Sequence, residues 1–299
     1  LYFKLKKMEE IKLDIETEYI RPELLSELTG YDYLYDMCKN VRNLSHSGSG
    51  YLNPITPRLQ YIMNTLASQG IPYEFVPLDS SNGECEADNT KLANVIVTFE
   101  SAQEFPLGGM VFSAHHDIAN PNSENCQDNT ASVCNLIHLC TLLNKVPKEE
   151  LNQNVVIAFT DCEEIGGRGM NKLIEEIKDD KYGNVTSMYA LELTACGDEF
   201  WITGTDSKSL MYTNLRDNIG DKTLEVVRTP YNESINASRS GLQACCIGTL
   251  PLLEMNIAKE RGYCETWGLC HSLSDTFEKS ANKDDMNSFV NILLNLIKI

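Results

Sequence analysis

Short apolar runs that lead into carboxylate or imidazole side chains restrict the fold of this chain more than any other feature. Gly109-Met110-Val111-Phe112 runs into Ser113-Ala114-His115-His116-Asp117, and Val155-Val156-Ile157-Ala158-Phe159 is followed by Glu163-Glu164. Met188-Tyr189-Ala190-Leu191-Glu192-Leu193 carries its acid inside the run. Runs of this length, bounded by breakers, read as strands. Between the first two lies a helical pattern from Thr130 to Leu143, with Val133, Leu136, Ile137, Cys140 and Leu143 at i, i+3, i+4 spacing. His138 lies off that stripe and is expected to be exposed. Further helices are predicted over 22–44, 56–69, 170–177, 208–219 and 283–297. Further strands are predicted over 73–76, 92–99, 224–228 and 251–255. Such alternation predicts an α/β fold, a mostly parallel mixed sheet sandwiched between helices. Sheets of this kind collect ligands beyond the carboxyl ends of their strands. Every polar signal falls there except His271, which is predicted in a loop.

The chemistry of these positions is that of a metal site. His115 and Asp117 are two apart, so on extended backbone their side chains share a face. The carboxylate can accept the second ring N–H of the histidine and make the other nitrogen a better ligand. His116 points the other way. Asp128 precedes the helical pattern and its two oxygens could bridge two cations, although an Asp at a helix start is also a plain N-cap. Of the adjacent Glu163 and Glu164, one can bind metal while the other faces a water as base; a solvated turn is the alternative. Glu192 sits within an apolar strand pattern, where an unpaired acid is seldom buried.

The order His-x-Asp, Asp-Asn, Glu-Glu, an acid within a strand, then His271-Ser272-Leu273-Ser274-Asp275 resembles the co-catalytic zinc exopeptidase family. That family includes the bacterial leucyl-type aminopeptidases, the glutamate carboxypeptidase group and the glutaminyl cyclases. The resemblance spans about residues 36–299 and extends to Asn94-Val95-Ile96-Val97 and Gly166-Gly167-Arg168-Gly169. It implies two zinc ions per chain, one held by His115, Asp128 and Glu192, the other by Asp128, Glu164 and His271. It also implies that Glu163 is the general base and that Asp117 orients His115. The expected activity is that of an aminopeptidase cleaving the N-terminal peptide bond of a peptide or aminoacyl substrate, through a water that the metal activates. The alternatives are a glutaminyl cyclase-like aminoacyltransferase and a non-catalytic peptide-binding relative. One departure concerns substrate recognition. Where the family commonly has Ser-Asp-His, often with a tyrosine nearby, this chain reads Tyr231-Asn232-Glu233-Ser234-Ile235-Asn236-Ala237-Ser238-Arg239-Ser240-Gly241. Tyr231 is left as the candidate for that tyrosine, and Arg239 as a group that could meet a substrate carboxylate.

Composition sets outer bounds. A hydrophobic content of 42% over 299 residues is ample for one large core. With no linker in view, the chain reads as a catalytic domain at 36–299 after an N-terminal extension and helix at 1–35. Leu1-Tyr2-Phe3 resembles an expression remnant, and a natural leader could have been removed. The net charge of −18 disfavours nucleic acid and anionic membranes as partners. No apolar run approaches the ~20 residues that span a bilayer. The 11 cysteines scatter without a Cys-x-x-Cys pattern, which suggests a reduced, cytoplasmic protein. Cys264 and Cys270 are close enough in sequence to be joined, and Cys126 or Cys162 would be the nucleophile of a rival cysteine enzyme. Oligomeric state leaves no mark in the sequence.

Overall fold

The computed structural model describes residues 28–41, 55–78, 92–103, 108–229 and 231–297. Within them an eight-stranded sheet runs in the order β1-β2-β4-β3-β5-β8-β6-β7. Its strands are β1 (Glu74–Pro77), β2 (Ala93–Phe99), β3 (Gly109–His115), β4 (Asn154–Thr160), β5 (Val185–Leu191), β6 (Glu199–Thr203), β7 (Leu224–Val226) and β8 (Ala244–Leu250). The four central strands β4, β3, β5 and β8 are parallel, while β2 and β6 join them antiparallel. β3 is buried along its whole length, as expected of a strand covered on both faces.

Helices cover both faces. On one side lie α1 (Gly30–Asn40), α2 (Pro57–Ser68) and α3 (Ala131–Leu143). Their residues Leu34, Ile62 and Leu136 share a core with Phe112, Ile157 and Phe289 of the C-terminal helix Lys283–Ile297. On the other side α4 (Arg168–Lys178) presents Met170, Leu173, Ile174 and Ile177, spaced as one helical face, to Val111 and Val156. α5 (Leu210–Asn218) and the short α6 (Glu233–Arg239) complete the sandwich, with α6 packed on β8 and β5. The expected extension falls largely outside the described residues. Its helix is seen from Gly30, continues past position 35 and packs Tyr33, Leu34 and Met37 into the main core.

Two expectations are overturned. The segment 251–255, read as a strand, opens α7 (Leu252–Arg261), and the strand is the preceding Ala244–Leu250. Pro251 is why: it cannot donate within a sheet, but it is well placed just before a first helical turn. His138 is half-buried rather than exposed, because α3 is packed nearly all round.

Candidate metal centre

The parallel strands deliver their polar residues to one edge of the sheet. His115 is the last residue of β3, Glu163 and Glu164 follow β4, and Glu192 follows β5. Asp128 lies in a one-turn π-type segment, Cys126–Thr130, between β3 and α3, and the peptide after it is cis. Asp128 is therefore not the cap of α3, a position held by Thr130. His271 comes from the loop after the short helix α8 (Glu265–Leu269). Three of these residues adopt or adjoin left-handed backbone: φ is 63° at Cys162, 55° at Leu193 and 62° at His271.

These side chains converge. His115 Nε2 is 3.4 Å from Asp128 Oδ1 and 3.6 Å from Glu192 Oε1. His271 Nε2 is 3.2 Å from Asp128 Oδ2 and 3.1 Å from Glu164 Oε2. The two oxygens of Asp128 thus face two different histidine–carboxylate pairs. Such separations are long for charge-assisted hydrogen bonds, which favour ~2.7–2.9 Å. They match the edge of about 3.3 Å that four ligands make around zinc with bonds of 2.0–2.1 Å. Donor atoms of His115, Asp128 and Glu164 all lie within 4.8 Å of one another. Glu164 Oε1 is buried without a hydrogen-bond partner, as an oxygen reserved for a cation would be. The donor set fits zinc.

Other residues hold the donors in place. Asp117 Oδ1 is 3.3 Å from His115 Nδ1, and its carboxylate accepts from the amides of Glu163 and Glu164 at 3.0 and 3.1 Å. Asp275 accepts from the amides of Gln127 and Asp128 at 2.8 and 3.2 Å, and Asn129 Nδ2 donates to the Leu191 carbonyl at 2.8 Å. His116 turns away and meets the Ala93 carbonyl at 3.0 Å.

Electrostatics bear the stamp of crowded carboxylates. Burial, with Glu192, Glu233 and Glu164 nearby, pushes Glu163 up to about 9. Burial and Asp128 raise Glu164 to about 7. Burial works against a charged His115, but Glu192, Asp117 and Asp128 outweigh it and hold the imidazole well above its usual range. His271, bonded to Asp128, rises to about 9. Burial disfavours a charged Asp128 too, yet the two histidines hold it below the ordinary carboxylate range. Cations placed among these acids would relieve this repulsion.

Glu233 and Asp161 are buried acids not anticipated from sequence, and Glu233 faces the site. Glu233 opens α6, is 1% exposed, and accepts from Ser113 Oγ at 3.1 Å while its other oxygen has no partner. Burial raises it to about 7. No periodicity marks it, since its polar surroundings at 229–241 look like a loop. Tyr231 stands at the rim, half-exposed, and its hydroxyl donates to Asn236 Oδ1 at 2.9 Å. That hydroxyl lies over Gly167, where a Cβ would come within 2.1 Å of it; φ there is 66°, so only glycine suits the turn. Arg239 is exposed at the last position of α6, about 9 Å along the helix from Glu233 at 1.5 Å per residue. Cys126 and Cys162 are fully buried, and Cys264 and Cys270 are both free thiols.

The sequence pattern of peptidase family M28 matches residues 94–297, from β2 to the last helix. The chain belongs to peptidase family M28. Among solved structures it is similar to BSAP, a zinc aminopeptidase from Bacillus subtilis, with a TM-score of 0.57, 16% identity and coverage of 70% of this chain. The chain spans 50% of the length of that protein. The LapA aminopeptidase of Legionella pneumophila is similar with a TM-score of 0.66 and 12% identity, covering 97% of this chain and 77% of LapA. Porphyromonas gingivalis glutaminyl cyclase is similar with a TM-score of 0.66 and 14% identity, over 94% of this chain and 99% of the cyclase. No curated protein sequence matches the chain. The likenesses show the fold, a single α/β domain with a mostly parallel sheet, and it is the family match that supports a peptidase. No described helix is long and apolar enough to cross a membrane.

Proposed function

We propose that this M28 protein is a zinc-dependent aminopeptidase that binds two zinc ions per chain. The observation that carries the reading is Asp128, whose two oxygens face His115 and His271 separately. His115, Asp128 and Glu192 would hold one ion, and Asp128, Glu164 and His271 the other. When bound, the pair supplies acidification of a water and polarisation of the scissile carbonyl. Glu163 accepts the proton that this water loses and returns it to the leaving amine. Asp117 fixes the tautomer of His115 by facing its Nδ1. Tyr231 and Arg239 form part of the substrate wall, a free substrate N-terminus being required. The free thiols support a reducing, cytoplasmic setting.

Glutaminyl cyclisation is the second reading, favoured by the near-complete overlap with the Porphyromonas gingivalis enzyme. It expels ammonia and needs no activated water, whereas a separate buried glutamate beside the donors suits hydrolysis. The test is zinc-reconstituted protein assayed on leucyl, lysyl and glutamyl amides, their N-acetylated forms, and a glutaminyl peptide. Cleavage of the free-amine substrates alone, at close to two zinc per chain by elemental analysis, is expected. Cleavage of acetylated substrates, or ring closure of the glutaminyl peptide without hydrolysis, would overturn it.

A further inference from the structure

The M28 pattern begins at Asn94, yet one buried side chain reaches the metal centre from ahead of it. Arg58 is the second residue of α2, after Pro57, in a turn capped by Thr56, which accepts from the Leu59 amide. It lies four and seven positions before Ile62 and Thr65, on the inward stripe of the helix, and is only 2% exposed. Its Nε donates to the carbonyl of His116 at 2.8 Å, and its Nη2 donates to Thr130 Oγ1 at 2.7 Å. The first acceptor adjoins His115. The second closes the turn that bears Asp128, and the same hydroxyl donates onward to the Asn125 carbonyl just before that turn. Asp117 and Asp275, which hold the amides of Glu163, Glu164, Gln127 and Asp128, are within electrostatic reach of the guanidinium.

Taking a guanidinium out of water is costly, and a hydrophobic residue would pack on that stripe without the penalty. What arginine adds is a rigid fork that can hold two acceptors at once, which a lysine cannot copy. We propose that Arg58 is a positioning residue of the metal centre, tying the backbone beside His115 to the turn that carries Asp128. The two donors then share one metal-binding geometry, set partly by a helix that precedes the matched family pattern. The proposal rests on the metal-site reading above. It also has a definite sign. If Arg58 were only a nearby positive charge, removing it would strengthen cation binding; as a clamp, its removal must weaken it.

Competition with a chromophoric chelator measures zinc affinity in the full chain without reference to turnover. Arg58→Met is expected to bind zinc about 10–100-fold more weakly, the scale for groups that orient metal ligands. Arg58→Lys keeps the charge but loses the fork, and should lose about tenfold or more. Thr130→Val removes one acceptor and should also weaken binding. Near-UV circular dichroism on the zinc-free proteins establishes that each variant is folded. Wild-type or tighter affinity in folded Arg58→Met or Arg58→Lys, with only a lowered Tm, would overturn the clamp. Should Arg58→Met fail to fold, Arg58→Lys and Thr130→Val decide in the same way. A wild-type chain that takes up no zinc would overturn the metal-site reading along with the clamp. Zinc uptake that the substitutions leave unchanged removes the clamp alone.

Discussion

Glu163 and Glu164 are adjacent, yet their side chains have different neighbours. Glu164 Oε2 is 3.1 Å from His271 Nε2, whereas Glu163 forms no ion pair with His115 or His271. Glu163→Gln should therefore keep its zinc while kcat falls by roughly 10²–10⁴-fold, the range of general-base catalysis. Glu164→Gln should lose zinc first. Equal zinc loss in both variants, measured by elemental analysis after gel filtration, would contradict the division of roles. Arg239 poses a smaller question. It is close enough to Tyr231 to oppose the rise in that phenol, whose hydroxyl burial, Glu163 and Glu233 raise to about 12. Arg239→Ala should shift the lysyl-to-glutamyl ratio of kcat/KM upward by only about two- to fivefold, since exposed charges are screened. An unchanged ratio would return it to the ordinary surface. His115, Glu163, Glu164 and Glu192 stood out in the sequence because each is a ligand-type side chain in or after an apolar run, whereas Asp128 and His271 stood out only through their order in the pattern. Arg58 and Glu233 did not, because a charged residue in a helical or polar stretch is normally solvated. Only the inward stripe through Ile62 hinted at the first.

At the scale of elements, β8 shows why one strand was misplaced. Ala244-Cys245-Cys246-Ile247-Gly248-Thr249-Leu250 carries an internal glycine that breaks its apolar run, while Leu252-Leu253-Glu254-Met255 is a short apolar stretch that reads as strand. A short apolar run does not by itself distinguish strand from helix. The glycine is there for packing. A Cβ at Gly248 would come within 2.0 Å of the Glu192 carbonyl and 2.4 Å of the Trp201 ring. Gly248→Ala should thus lower both thermal stability and zinc affinity, because the backbone it displaces carries Glu192. Wild-type zinc affinity in the folded variant would mean that β5 absorbs the shift without moving its donor. The parallel core was legible from the spacing of β3, β4 and β5, since each is a clean apolar run. β6 and α6 were not, because one is bounded by charges and the other is only seven residues long.

For the whole molecule, the carboxylate cluster sets how stability responds to pH. In the metal-free protein burial raises Glu163 to about 9, Glu164 and Glu233 to about 7, and Asp275 to about 6. A carboxyl with a raised folded pKa binds more protons folded than unfolded, so its contribution fades as pH climbs above the unfolded value. His271, raised to about 9 by its bond to Asp128, acts in the same direction above its own unfolded value. Asp128 is lowered and favours the fold until strong acid protonates it. The metal-free Tm should therefore fall between about pH 5 and pH 9. Saturating zinc should flatten or reverse that slope, because the metal prefers ionised carboxylates and neutral imidazoles. Parallel slopes with and without zinc, by scanning calorimetry, would show that the cluster does not receive the metal. The bond from Asp275 to the Asp128 amide bears on the protein's birth as well as its chemistry. Its partners stand 147 positions apart. A ribosome makes the turn first and its support 147 residues later, so the turn that bears Asp128 is made well before the carboxylate that holds it. Chains arrested before Cys270 lack both His271 and Asp275, so they should hold zinc more weakly than the full chain, by the same chelator competition; equal affinity would show that neither residue is needed to retain it.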